Sequence, residues 1–271
     1  MRSLYGWPTI AAMRVASTLS YDVAGPAEVA FQVAVAGPVT SEVLTVTLDG
    51  AAVPVTAVDR THLVRVGATG RLVAAYAAEL PDRREGPPPP SDRDRLVALR
   101  PSRYCPSDRL AGYATSRFGT LSGADAVRAI VDHVHRHLVY TLGASGPTTD
   151  AADTLLAGQG VCRDYAHLVA TLCRAVDVPA RVAAVYAPGL DPMDFHLVAE
   201  TALDGGWWVW DATRLAPRPA LARIATGRDA ADVAFATMLT GTLNPIGQEI
   251  VATTAADLPE DDHTSLVALP G

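Results

Sequence analysis

The spacing of hydrophobic positions changes near residue 90. Between residues 13 and 80, apolar and polar residues alternate in short runs, MRVASTLSYDV, EVAFQVAVA, EVLTVTLDG, HLVRVG and RLVAAYAAEL, separated by the turn signals AGP, DG and ATG. A period of two sends successive side chains to opposite faces of a strand, so residues 1–80 are predicted to form a small antiparallel β domain, a sandwich or a barrel. No chemistry clusters there. The stretch PDRREGPPPPSDRD, residues 81–94, ends the pattern. Its four successive prolines lack amide donors and fix φ, so an extended linker and a domain boundary are expected.

Beyond the linker the period becomes helical. SGADAVRAIVDHVHRHLVY presents Val127, Ile130, Val134 and Leu138 on one face, with Ser122 as the expected N-cap and Asp125 completing a capping box. TTDAADTLLAG reads as a short helix ending at Gly158, and VCRDYAHLVATLCRAV as a third helix with Tyr165, Leu168, Val169, Leu172 and Val176 inward. Strand patterns follow in ARVAAVYA, FHLVAETAL and WWVWDAT, the last two joined by a DGG hairpin at 204–206. Helices followed by an antiparallel sheet predict an α+β domain over residues 95–254. The acidic, apolar-poor residues 255–271 are expected to be an exposed tail.

Composition narrows the function. The chain has 271 residues, 49% of them hydrophobic, and a net charge of −7. That suffices for one large or two modest cores. With no basic stripe, neither a nucleic acid nor an anionic membrane surface is an expected partner. No apolar run reaches the ~20 residues of a spanning helix. MRSLYGWPTIAAM makes a poor signal peptide, and Met13 offers an alternative start. Three cysteines, Cys105, Cys162 and Cys173, are too few for a disulfide framework and lack zinc spacing, so a reduced, cytoplasmic setting is expected.

The cysteines differ in setting. Cys162 falls in the first turn of its helix, after Gly158 and Gly160. Free helix-end amides carry partial positive charge that stabilises a thiolate and can donate to an oxyanion. Cys173 lies eleven residues further along the same helix. That is about 16 Å at 1.5 Å per residue, and its apolar surroundings make it a core residue. Cys105 precedes a proline in SRYCPSD and has no activating neighbour.

A nucleophile needs a base, and the base needs an orienter. Of seven histidines, His133, His135 and His137 share one helix. The i, i+4 pair of His133 and His137 lacks an HExxH glutamate and a third ligand, so a solvated flank is expected rather than a metal site. His167 points away from Cys162 and reads as structural; His62 and His263 have no relevant neighbours. His196 lies on the strand paired through DGG with the strand ending at Asp211. A two-residue loop makes paired positions sum to an odd number such as 409 or 411. Asp211 then stands opposite Val198 or Glu200, on the same face as His196. Taken singly, each residue has an ordinary structural reading; in Cys…His…Asp order they form a candidate triad.

The motifs GVCRDYAHL, FHLVAE and WVWDAT resemble the catalytic core of bacterial transglutaminase-like proteins: a GxCxD[FY]A block, an HxxxE strand and an [FW]DxT strand end. LRPSRYCPSD, HLVYTLGAS and RIATGRDAADVAF resemble the flanking segments of one bacterial branch, and the β-rich start resembles the N-terminal domain often found there. The resemblance covers most of residues 13–240. It implies a papain-like core, with Cys162 as nucleophile, His196 as base and acid and Asp211 as orienter. Asp164 and Glu200 match supporting acidic positions. Two positions depart from the pattern: Val198 stands where Trp is common, and Ala212 where Pro is common.

The expected chemistry is attack of the thiolate on an amide or ester carbonyl, giving a thioester without metal or organic cofactor. The Cys162 amide and a second donor, Gln159 or Tyr140, would hold the oxyanion. Substrates open to this chemistry are peptides, proteins and small amides. A hydrolase is the first reading, an acyltransferase passing the acyl group to an amine the second, and a non-enzymatic binding module the third. The sequence does not indicate an oligomeric state.

Overall fold

The computed structural model describes residues 13–81 and 86–269. The parts of the β domain, linker and tail readings that fall on residues 1–12, 82–85 and 270–271 lie outside the described residues. The alternating segments form β1 (Met13–Val23), β2 (Ala27–Phe31), β3 (Ser41–Leu48), β4 (Ala51–Ala52), β5 (Val55–Val58), β6 (Thr61–Val66) and β7 (Gly70–Leu80). The helical region contains α1 (Asp92–Ala98), α2 (Ala111–Phe118), α3 (Gly123–His137), β8 (Val139–Tyr140), α4 (Ala151–Ala157), β9 (Gln159–Gly160) and α5 (Cys162–Ala175). The remaining strands are β10 (Ala180–Tyr186), β11 (Phe195–Leu203), β12 (Gly206–Trp210), β13 (Ala222–Gly227), β14 (Ala236–Thr240) and β15 (Leu243–Thr254).

The N-terminal strands form a sandwich. One sheet runs β15-β1-β7-β3-β4 and the other β14-β2-β6-β5. Leu19, Phe31, Val64, Leu72 and Tyr76 are buried in the core they share. Here the structure differs from the sequence reading, which assigned residues 95–254 to one α+β unit. Strand β15 pairs antiparallel with the whole of β1, from Met13↔Thr254 to Val23↔Leu243, and β14 pairs with β2. The last two strands therefore complete the N-terminal sandwich and cover edges that β1 and β2 would otherwise expose.

The α+β core has α5 at its centre. Every residue from Asp164 to Arg174 is buried. Sheet β12-β11-β10-β13 packs against α5, and α2, α3 and α4 pack around the same helix. Val127, Ile130, Val134 and Leu138 of the α3 segment are buried as their spacing predicts. The expected capping box does not form: Ser122 is the N-cap residue but its side chain makes no cap bond, and Asp125 pairs with Arg128 at 3.0 Å. The reciprocal box appears instead at α1, where Ser91 and Asp94 cap a helix that starts inside the stretch read as linker.

Residues 255–269 are not a free tail. Arg218 is 1% exposed. A guanidinium at such depth needs acceptors, and Asp261 and the carbonyls of Val209 and Ser265 supply them. The Val209 amide donates to Val267 at 2.8 Å, and Leu269 is fully buried. The sandwich and the α+β core are tied together by the Tyr186 hydroxyl, which donates to the Val33 carbonyl at 2.8 Å, and by the Ala36 amide, which donates to Arg223 at 2.8 Å. No helix among the described residues is long and apolar enough to cross a membrane.

Candidate active site

Local chemistry at the start of α5 fixes where Cys162 stands. Gly158 closes α4 with φ of 65°, a left-handed position that favours glycine. The chain then pairs in parallel with β8, setting Tyr140 opposite Gly160. Asp164, 1% exposed, turns back so that its Oδ2 accepts from the Val161 amide at 2.8 Å. A Cβ on Gly160 would stand 2.6 Å from the Asp164 Cβ, so this cap requires glycine there. The result is a half-buried Cys162 in the first helical turn, among amides with no partner inside the helix.

His196 and Asp211 come from neighbouring strands. The register of β11 and β12 pairs Ala199 with Trp210, a sum of 409, so Asp211 follows directly in line with Val198. His196 Nε2 and Asp211 Oδ2 are 2.8 Å apart, and both residues are buried. Asp211 Oδ1 accepts from the Thr213 amide at 2.9 Å and its hydroxyl at 2.7 Å, which holds the carboxylate plane. The second nitrogen, Nδ1, is buried without a hydrogen-bond partner among the described residues.

The electrostatics bind the three residues together. Burial alone would lower the pKa of His196, but the charge and hydrogen bond of Asp211 outweigh it, helped by the Cys162 sulfur beside the ring, and the value is raised. Burial would raise the Asp211 carboxyl, yet His196 and Thr213 hold it below the usual range. The pair therefore favours imidazolium and carboxylate. Tyr140 also stands against Cys162: burial first, then the sulfur, push its hydroxyl up to about 12, while the Cys162 amide opposes the shift. It is a protonated donor at neutral pH. Gln159 is exposed on β9.

The other sequence candidates have structural partners. Glu200, fully buried, accepts from Arg181 Nε at 2.7 Å and pairs with Arg223, linking β10, β11 and β13. Cys105 and Cys173 are fully buried, and burial pushes their thiols up to about 11 and about 12. His167, held neutral by burial at about 4, accepts from the Ala230 amide and stacks on Tyr104. The flank that carries the α3 histidines is only partly solvated: His137 is exposed, while His133 and His135 are half-buried. His133 meets the Tyr113 hydroxyl at 2.8 Å, and His137 reaches the Leu155 carbonyl at 2.8 Å. His135 Nδ1 reaches the Ala212 carbonyl, next to Asp211, at 2.9 Å.

Sequence reasoning missed Asp194, two residues before His196. Its Oδ1 accepts from the Phe195 amide and from Gln248 Nε2 of β15, each at 2.7 Å. Its charge acts on both His196 and Tyr140. Only the return of β15 to the sandwich brings Gln248 there, so no local motif marks the pair.

Comparisons with known proteins place this geometry in a family. The sequence profile of the transglutaminase-like superfamily matches residues 111–212, a span that includes all three residues. A candidate cysteine protease from Cytophaga hutchinsonii, known from its crystal structure, has a TM-score of 0.82 and 31% identity, covering 94% of this chain and 95% of that one. The periplasmic domain of TgpA from Pseudomonas aeruginosa has a TM-score of 0.40 and 18% identity, over 77% of this chain and 89% of that one. An uncharacterized protein of Mycobacterium leprae is 29% identical over 148 residues, 50% of this chain and 52% of the relative, so the match spans about half that protein's length. Likeness to the Cytophaga protein along nearly the whole of both chains, together with the matched core, shows that the chain belongs to the transglutaminase-like superfamily.

Proposed function

We propose that the protein is a cysteine-dependent hydrolase of amide or peptide bonds, with Cys162 as nucleophile, His196 as base and acid, and Asp211 as orienter. The observation that carries this reading is the buried 2.8 Å bond between His196 Nε2 and Asp211 Oδ2. It leaves the other ring nitrogen unpartnered on an imidazole that Cys162 stands beside. A base that must take a proton and return it needs one fixed tautomer, and a carboxylate on its far nitrogen provides this.

In the proposed cycle, the Cys162 proton passes to His196 and the sulfur attacks the carbonyl carbon. The developing oxyanion accepts from the Cys162 amide and the Tyr140 hydroxyl. His196 returns the proton to the leaving amine as the C–N bond breaks, leaving an acyl thioester. Water, deprotonated by His196, then releases the acid and restores the thiol. Gln159, exposed on β9, is the weaker candidate for the second donor. The name of one relative, the candidate cysteine protease from Cytophaga hutchinsonii, supports the reading.

The test is turnover of a panel of peptide anilides and amides by the wild-type chain and by Cys162→Ala, with and without an added primary amine. Release of free acid by wild type alone supports the hydrolase. Diversion of most of the acyl group to the amine at modest concentration identifies an acyltransferase instead. Equal turnover by Cys162→Ala rejects both.

A further inference from the structure

The sandwich holds a cavity of about 530 Å³ between the β1–β15 and β2–β14 edges, lined by Leu19, Tyr21, Phe235, Leu243 and Gln248 among others. Its size falls within the range of small-ligand sites, and its wall is mainly apolar. Two contacts join this wall to the residues immediately before the catalytic histidine. Phe235 stacks on Phe195, ring centroids 4.9 Å apart and planes 18° apart. Gln248 donates to Asp194 at 2.7 Å. Asp194 therefore stands between the cavity and the dyad. Its Oδ1 has two donors, whereas nothing among the described residues donates to Oδ2.

We propose that this cavity receives an apolar side chain of the acyl donor, and that Asp194 pairs with a basic group on the same substrate. The inference rests on the hydrolase reading above and names the substrate class it would take: a peptide with an apolar anchor next to a positive group. The occupant follows from charge and position. An unpaired carboxylate oxygen at the edge of an apolar hole selects a ligand with an apolar part and a donor part. Asp194 is two residues from His196, about 7 Å along an extended strand at roughly 3.3 Å per residue, and Gln248 lies one hydrogen bond beyond. An extended peptide with its scissile carbonyl at Cys162 would thus bring a side chain to the cavity about three residues away. The sandwich, including strands from the far end of the chain, becomes one wall of the substrate cleft.

The test uses binding rather than turnover, so its outcome is separate from that of the chemical proposal. The full chain carrying Cys162→Ala is titrated with acetyl-capped hexapeptide amides that hold one Lys and differ only in Leu or Ser three residues from a central amide. The Leu peptide should bind at least tenfold more tightly. Ala236→Trp, which fills the cavity, should reduce that ratio to within twofold, and Asp194→Asn should weaken the Lys peptide but not one with Lys replaced by Gln. Circular dichroism and a melting curve check the fold. Should Ala236→Trp not fold, Met238→Glu at the rim must show the same loss of preference. No binding, equal binding of Leu and Ser peptides, or a preference that survives both cavity variants overturns the proposal. So does self-association of the wild-type chain that Met238→Glu abolishes, since a second copy would then fill the hole.

Discussion

Replacing Asp211 by Asn probes the link between strand register and chemistry with almost no change of shape. The Asn Oδ1 can still accept from the Thr213 amide and hydroxyl, which sit 2.9 and 2.7 Å from the carboxylate, so the backbone turn should persist. What changes is the group 2.8 Å from His196 Nε2: an anionic acceptor becomes an NH₂ donor. The imidazole must then accept at Nε2 and carry its proton on Nδ1, the nitrogen left for the thiol. It loses both its counter-charge and the lone pair that takes the Cys162 proton. A hydrogen bond to a charged group contributes about 1.5–3 kcal/mol net. At 1.36 kcal/mol per tenfold, the imidazolium should therefore become roughly 10- to 100-fold less populated. Alkylation of Cys162 by iodoacetamide at pH 7, followed by peptide mass spectrometry, should slow by that factor, and turnover should fall further, on the order of 10⁴-fold, because the tautomer is wrong as well. The pH sign follows from the raised His196 value. The ion pair's contribution to stability is complete below the ordinary histidine pKa near 6.5 and is lost as pH rises through the elevated one. In Asp211→Asn the ring should titrate lower, which histidine NMR resonances would record. An Asp211→Asn variant that alkylates and turns over at the wild-type rate would refute the orienting role of Asp211.

Three further outcomes follow. Gly160→Ala places a methyl 2.6 Å from the Asp164 Cβ, so it should cost about 1–3 kcal/mol in denaturant unfolding and slow Cys162 alkylation as the α5 cap shifts. Asp261→Asn weakens the buried Arg218 pair and should lose about 1.5–3 kcal/mol. Burial would raise the Asp261 carboxyl, but the Arg218 bonds hold it at about 2, so this stabilisation should be full above about pH 4 and vanish as pH falls through about 2. Among the three thiols, iodoacetamide at neutral pH should modify Cys162 well ahead of Cys105 and Cys173, which are fully buried with raised pKa values; Cys105 reacting first would contradict the site.

Local rules carried the readings that held. The DGG turn determines the β11–β12 register, and parity then brings Asp211 to the face of His196. Gly158 ends α4 in the left-handed conformation that favours glycine, and Cys162 opens α5 four residues later. Readings that depended on distant partners fared differently. Strands β14 and β15 belong to the sandwich, but pairing across more than 200 residues has no signature in either strand alone. The 255–269 segment looked like a solvated tail because its acidic residues suit water; two of them, Asp261 and Asp262, instead meet the buried Arg218. The α3 histidines looked solvated because their helix face is polar; His137 is exposed, but each of the three meets a partner on another segment, the Tyr113 hydroxyl of α2, the Leu155 carbonyl of α4 and the Ala212 carbonyl after β12. The Asp194–Gln248 contact was hidden for the same reason as β15.

Everything proposed for the site requires that Cys162 form a covalent bond to an acyl group. Intact mass spectrometry of the wild-type chain, quenched in acid during exposure to activated acyl donors such as peptide thioesters and nitrophenyl esters, tests it directly. A mass gain equal to the acyl group is expected, mapped to Cys162 after digestion, removed by hydroxylamine and absent from Cys162→Ala. An adduct mapped to Cys105 or Cys173, or a Cys162→Ala chain that turns the donors over at the wild-type rate, would contradict it.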